Sequence, residues 1–212
     1  MHPATLLLTG FEPFGGDPIN SSWEVAGALH GAVIEGHPVR AVQLPCRFGS
    51  ALAALHEALL RQPTALVLAL GQASNRHAFS FERVAVNLID ARIPDNDGLQ
   101  PIDVPVVPQA PAAYFSNLPL KPMLRALRAE ALPAELSTSA GSYVCNQVFY
   151  GLQHRLRRQP QVLSGFLHLP SLSVPEPVLS LDQLVAGTRL ALSSALHPER
   201  WNGAVLSGGQ LS

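Results

Sequence analysis

The sequence predicts an α/β fold with a twisted, mostly parallel central sheet covered by helices on both faces. Three observations carry this. Residues 4–9 and 65–70 are apolar at nearly every position, the pattern of strands buried on both sides. Such runs alternate with amphipathic stretches of helical length over short connections, as in consecutive β-α-β units. Hydrophobic residues make up 47% of the 212 and charged ones only 14%, against roughly 25% charged in an average soluble chain. The length suits a single domain over residues 1–212, with enough chain to bury a proper core.

Residues 4–9 form the first predicted strand. It breaks into Gly10-Phe11-Glu12-Pro13-Phe14-Gly15-Gly16, a run too rich in Gly and Pro for regular structure. Ser21 is placed to cap the next helix, with Glu24 at the capping-box position and Trp23, Val25, Ala26 and Leu29 as its apolar residues. Residues 39–44 read as a second strand, 50–62 as an amphipathic helix, and 65–70 as a third strand ending in Gly71-Gln72. Regularity then lapses. Residues 81–89 alternate enough for a strand, whereas residues 101–111 hold four prolines in eleven positions and suit an edge or a covering loop. Helical periodicity returns over 117–131, a short strand follows at 135–138, and Ser139-Ala140-Gly141-Ser142 turns into a helix reaching Arg158. Residues 164–169 supply the last strand, and Ser180 caps a long helix over 181–196. The tail 198–212, with Gly203, Gly208 and Gly209, reads as loose.

In an open parallel sheet, ligands bind beyond the carboxyl ends of the strands, so the chemistry belongs in the segments that follow them. One of these carries Cys145 into the first turn of a helix. Unpaired N–H groups and the positive end of the helix dipole favour thiolate over thiol there, and can bring a pKa of about 8.5 to neutrality or below. Cys46 lacks a helix start and reads as packing. A cysteine nucleophile needs an imidazole to take its proton and return it to the leaving group. Among eight histidines, His2 lies in the terminal tail, and His30, His56 and His197 belong to helices away from this rim. His154 stands nine residues beyond Cys145, two and a half turns round and roughly 13 Å along the helix. His77 follows a strand-end loop and remains possible. His168, near the end of the last strand, is better placed. A carboxylate would hold its tautomer; Glu12, Glu82, Asp90 and Asp95 all lie near the rim, and spacing does not choose among them.

Composition excludes several classes. A net charge of −1 gives no reason to expect nucleic acid or an anionic membrane as partner. Thirteen of the 14 basic residues are arginine, so lysine chemistry has one candidate, Lys121, in a Leu-Lys-Pro turn. Two cysteines make neither a disulfide framework nor a metal-ligand spacing. No apolar stretch approaches the ~18 residues of a membrane span, and Met1 leads into a strand without the pattern of a signal peptide. The expectation is a protein of the reducing cytoplasm.

Four segments together resemble the pyroglutamyl peptidase type I family of cysteine peptidases. Thr9-Gly10-Phe11-Glu12-Pro13-Phe14-Gly15-Gly16, followed by Asn20 and Ser22-Trp23, looks like its N-terminal signature. Gly71-Gln72-Ala73, Glu82-Arg83-Val84-Ala85 and Ala91-Arg92-Ile93-Pro94-Asp95-Asn96 are similar to the segment bearing its catalytic glutamate. Ala140-Gly141-Ser142-Tyr143-Val144-Cys145-Asn146 resembles the cysteine motif and Gly165-Phe166-Leu167-His168-Leu169-Pro170 the histidine motif. The resemblance implies Cys145 as nucleophile, His168 as base and acid, and Glu82 as the orienting carboxylate. It also implies a single-domain three-layer α/β sandwich without metal or cofactor, acting on N-terminally pyroglutamylated peptides and assembled as a homo-oligomer, a tetramer or dimer. Gln147, the loop Ser74-Asn75-Arg76-His77, and Ser171 depart from the family pattern, none of them at a triad position.

Pyroglutamate is a flat lactam without a free amine, so its pocket should offer apolar faces and a few polar groups. Phe11 and Phe14, three residues apart in a tight loop, could cover the ring from one side; the resemblance implies that they contact it, with Ile93, Tyr143 and Val144 completing the wall. Asn20 and Gln72 are the expected lactam partners, since each amide supplies a donor and an acceptor; their structural alternatives are helix capping and loop bracing. Backbone N–H groups at the helix start would meet the oxyanion. Arg92 either helps there or pairs with Asp90 or Asp95. Two other readings stand beside the peptidase: a nucleoside-phosphorylase-like transferase, for which the acidic Glu12 and Asp17 of the glycine loop are unsuited, and a non-catalytic pyroglutamate-binding relative.

Overall fold

The structure is a computed structural model that describes residues 3–201 and Gly203. In chain order the elements are β1 (Thr5–Phe11), α1 (Ser21–Ala28), β2 (Val33–Ile34), β3 (His37–Leu44), α2 (Ala51–Leu60), β4 (Thr64–Gln72), β5 (Phe79–Glu82), β6 (Val84–Val86), β7 (Ala113–Phe115), α3 (Leu120–Ala129), β8 (Ala134–Ser137), α4 (Val144–Leu156), β9 (Leu163–Leu169) and α5 (Leu181–Leu196). Seven strands form one sheet in the order β2-β3-β1-β4-β9-β5-β8, and β6 pairs with β7 apart from it.

Period-two alternation sorts the strand residues into two cores. Leu6 and Leu8 of β1, Leu66, Leu68 and Leu70 of β4, and Leu167 and Leu169 of β9 face α1, α3 and α5. Leu7 and Phe11, Val67 and Ala69, and Phe166 face α2 and α4. The result is the expected three-layer sandwich, and nearly unbroken apolar strands are its necessary signature.

Strand direction departs from expectation where it matters for the site. β3, β1, β4 and β9 are mutually parallel, but β5 is antiparallel to β9, and β8 is parallel to β5. The strand before Cys145 therefore runs against the parallel core. Residues 138–143 bring the chain back, so that α4 starts beside the ends of β4 and β9 and not directly beyond its own preceding strand.

Other boundaries also shift. The run read as one strand over 81–89 is two, since the chain leaves the main sheet at Arg83. Residues 101–111 form a covering segment whose Val106, Val107 and Ala110 pack on the α2/α4 core. Asn20, not Ser21, caps α1: its Oδ1 accepts from the Ser22 N–H at 3.1 Å. Hairpin β2–β3 was not anticipated; Glu35 and Gly36 turn it with positive φ of 47° and 80°. Of the tail expected to be loose, Pro198–Trp201 form a 3₁₀ turn whose Trp201 packs on the α1/α3/α5 core. Arg125 Nη1 donates to the Trp201 carbonyl at 3.0 Å. The remaining tail, apart from Gly203, lies outside the described residues.

Candidate active site

The same alternation aims the polar residues. Phe79 and Phe81 of β5 point into the α1/α3/α5 core, so Ser80 and Glu82 face α4. On β9, His168 shares the α4 face with Phe166. Pairing of β5 against β9 sets Ser80 opposite His168 and Glu82 opposite Phe166. Within that register Glu82 Oε1 accepts from His168 Nδ1 at 2.8 Å. Glu82 is completely buried and His168 nearly so, in keeping with a charge-assisted bond sheltered from water.

Cys145, half-buried, stands in the first turn of α4. The first helical hydrogen bond is from the Gln147 N–H to the Tyr143 carbonyl at 3.1 Å, which leaves the N–H groups of Val144, Cys145 and Asn146 ahead of it. Tyr143 supplies no side-chain cap, unlike Asn20 on α1 and Ser180 on α5. Asn146 anchors this turn: its Nδ2 donates to the carbonyls of Val86 and Leu88 at 2.9 Å, and its Oδ1 accepts from the Val86 N–H at 3.0 Å.

Electrostatically the sulfur is unlike the sequence-based expectation. Burial pushes the Cys145 thiol up, and the nearby Cys46 and Glu82 add to this; only its own backbone N–H opposes. Loss of hydration outweighs the helix start and disfavours the thiolate. Gly71 makes room for it. A Cβ at that position would lie 3.0 Å from Cys145 Sγ and 2.8 Å from the Phe166 ring.

Cys145 and His168 open on one cleft of about 610 Å³. Phe14, Ile93, Tyr143, Gln72, Arg92 and Asp90 line it, together with residues 73–75 and 140–142. The Phe14 and Tyr143 rings lie 6.1 Å apart, and Phe48 meets Tyr143 edge-on at 5.2 Å. Arg92 is exposed and makes no ion pair among the described residues. The alternative of a structural pair with Asp95 falls away, because that carboxylate accepts from the N–H groups of Phe48, Asp97 and Leu99.

Three expected pocket residues lie outside the cleft lining, and a fourth, Gln72, lines it with its side chain engaged in bracing. Phe11 closes β1 and packs in the α2/α4 core, outside the cleft lining. Val144 is fully buried in the same core. Asn20 caps α1 and donates from Nδ2 to the Glu12 carbonyl at 3.1 Å, so its amide is engaged away from the cleft. Gln72 borders the cleft, but its side chain braces the glycine loop: Oε1 accepts from the Ser21 N–H and Oγ at 2.8 and 2.9 Å, and Nε2 donates to Asp17 at 2.7 Å. Glu12 likewise locks that loop, accepting from Cys46 N–H and Asn96 Nδ2 and pairing with Arg47 at 3.1 Å. Among the departures from the family pattern, Gln147 donates to the Phe48 carbonyl and Ser171 accepts from the Ser173 N–H, both clear of the cleft; Ser74 and Asn75 line it. The sequence places Asp90 and the segment 139–145 at the rim, but it does not single out Asp90 or residues 140–142 as cleft lining. Among the described residues no group of three or more His, Cys, Asp or Glu side chains could hold a metal ion.

A cysteine hydrolase of α/β architecture is the class that this scaffold and cleft define. Residues 4–197 match the family model described as pyroglutamyl peptidase. The chain is 50% identical over 200 residues to the pyrrolidone-carboxylate peptidase of Cupriavidus taiwanensis, covering 91% of this chain and 93% of that one. It is 47% identical over 199 residues to the corresponding protein of Escherichia fergusonii, with 91% and 93% covered. The fold matches the crystal structure of Bacillus amyloliquefaciens pyroglutamyl peptidase I with a TM-score of 0.87, 38% identity, and 92% and 98% of the two chains covered. A variant of the Pyrococcus furiosus pyrrolidone carboxyl peptidase gives the same TM-score and identity over 92% and 99%. The chain belongs to the pyroglutamyl peptidase family. Neither the transferase reading nor the non-catalytic one is favoured by these relatives, and the lining of the cleft contains a single arginine and no lysine.

Proposed function

We propose that the chain removes N-terminal pyroglutamyl residues from peptides, with Cys145 as nucleophile, His168 as general base and acid, and Glu82 as the carboxylate that orients it. The observation that carries this is the buried hydrogen bond between Glu82 and His168, the histidine that lines the same cleft as Cys145. Because Nδ1 is engaged by Glu82, Nε2 is the free nitrogen that accepts the thiol proton. Sulfur attacks the pyroglutamyl carbonyl, and the negative charge forming on oxygen is met by the uncapped N–H groups at the start of α4, with Arg92 assisting. Collapse expels the amine, which takes the proton from Nε2 and leaves a thioester. A water then gives its proton to Nε2, attacks the thioester and releases pyroglutamate as Cys145 regains its proton. Phe14, Ile93 and Tyr143, which line the cleft, supply the apolar walls for the lactam ring.

By the family resemblance, we read the assembly as a homo-oligomer, a tetramer or dimer. Sedimentation of the purified chain as a monomer would refute that. Two free cysteines fit a reducing cytoplasmic compartment, and among the described residues no helix is long and apolar enough to cross a membrane.

Release of a fluorescent amine from a pyroglutamyl amide tests the activity. Wild-type turnover should fall on the order of 10⁴-fold or more in Cys145→Ala, as when a nucleophile is deleted elsewhere. Reduced, folded protein without turnover would refute the assignment.

A further inference from the structure

Arg76, in the loop between β4 and β5, does not line the cleft, yet its guanidinium reaches the carboxylate behind the imidazole. Nη2 stands 3.7 Å from Glu82 Oε1, the same oxygen that accepts from His168 Nδ1. It also donates to Ser137 Oγ at 2.9 Å and to the Ser139 carbonyl at 3.2 Å, while Nη1 meets Glu135 Oε1 at 3.1 Å. Glu82 Oε2 has no hydrogen-bond partner among the described residues. The fully buried carboxylate therefore has one hydrogen bond, from His168, to offset its lost hydration, and a buried charge in that position needs a partner of opposite sign. Among the described residues, Arg76 is the one permanent cation within 4.0 Å of it.

We propose that Arg76 is a positioning residue whose charge holds the Glu82 carboxylate against His168, and through it keeps His168 in the tautomer that presents a free Nε2 to Cys145. The same guanidinium holds β8 and the Ser139 carbonyl, on the segment leading into α4, so base and nucleophile share one anchor. This rests on the cysteine-peptidase reading above. The charged and titratable groups around the pair are Arg76, Glu135 of β8 and Cys145 of α4, with Asp17 beyond Gln72 and Asp90 and Arg92 on the same cleft. Without Arg76, the charge of Glu82 is balanced by His168 alone. The carboxylate–imidazole pair then holds its proton to higher pH, and kcat/KM, which needs the neutral imidazole, fails first on the acid side.

The test is the pH profile of kcat/KM for wild type, Arg76→Gln, Arg76→Lys and Glu135→Gln on a pyroglutamyl amide. Arg76→Gln should move the acid limb up by about one pH unit, lowering kcat/KM below the limb about tenfold. Arg76→Lys keeps the charge and should hold the limb near that of the wild type. Glu135→Gln, partly exposed on an edge strand, relieves the guanidinium of a competing carboxylate and should move the limb down; it keeps the test open if Arg76→Gln does not fold. The proposal is overturned by an Arg76→Gln limb coinciding with wild type, an Arg76→Lys limb displaced as far as that of Arg76→Gln, or a Glu135→Gln limb at or above the wild-type position. Wild-type protein no more active than Cys145→Ala would instead overturn the peptidase reading.

Discussion

Phe11 and Phe14 stand three residues apart, and only the second reaches the cleft. Phe11 is the last residue of β1, paired with Leu44, and its ring continues the α2/α4 core. Phe14 lies past the strand, in the loop that Glu12, Asn20 and Gln72 hold in place, and its ring approaches Tyr143. Two truncations should therefore separate. Phe14→Ala removes an apolar wall worth about 1.5–3 kcal/mol, so KM for a pyroglutamyl amide should rise about tenfold or more with Tm nearly unchanged. Phe11→Ala empties a core site and should cost about 3–5 kcal/mol in chemical denaturation. Equal effects of the two on KM would refute the division.

At the level of elements, two glycines set how closely α1 and α4 approach the sheet. A Cβ on Gly10 would lie 2.4 Å from the Ser22 carbonyl oxygen and 2.6 Å from the Trp23 nitrogen, both backbone atoms of α1. On Gly71 it would meet side-chain atoms, the Phe166 ring and Cys145 Sγ. Helix backbone cannot yield without moving the whole of α1, whereas a ring and a thiol can rotate. Gly71→Ala is expected to cost about 1–3 kcal/mol and to slow alkylation of Cys145 by displacing Sγ; Gly10→Ala should be the more destabilising. Thermal melts and iodoacetamide rates measure both, and a Gly10→Ala protein as stable as wild type would show that α1 is not held at that distance.

Across the whole molecule, burial of ionisable groups sets the response to alkali. The Cys46 thiol is pushed up to about 12, chiefly by burial and next by Glu12, and Cys145 is raised higher by burial. A thiol in the unfolded chain ionises near ~8.5. Above that pH the unfolded state loses protons that the native state keeps, so stability present below ~8.5 declines as pH rises toward the native values. Each thiol contributes a slope of about 1.4 kcal/mol per pH unit. Tyr150, also pushed up to about 12 by burial, joins above its usual ionisation near ~10. Denaturation between pH 8 and 10 should show stability falling in wild type and falling about half as steeply in Cys46→Ala; a flat profile would refute it.

Much of this architecture is legible in the chain because burial on both faces leaves a mark at each residue. The apolar runs of β1 and β4, the amphipathic helices, and a cysteine and a histidine at element ends all follow from local pattern. The carboxylate does not. Glu12, Glu82, Asp90 and Asp95 look alike from spacing, and resemblance alone singled out Glu82 before the pairing of β5 against β9 brought it to His168. Strand direction, the engagement of Asn20 and Gln72 in bracing, and the raised thiol of Cys145 depend on which segments meet in space. The sequence by itself determined the layers and the reactive residue types, because those depend on the composition and period of short segments. Which carboxylate meets His168, which amides are engaged and how far the sulfur is dehydrated were decided only by tertiary structure, since hydration and charge at a site are set by neighbours distant in the chain.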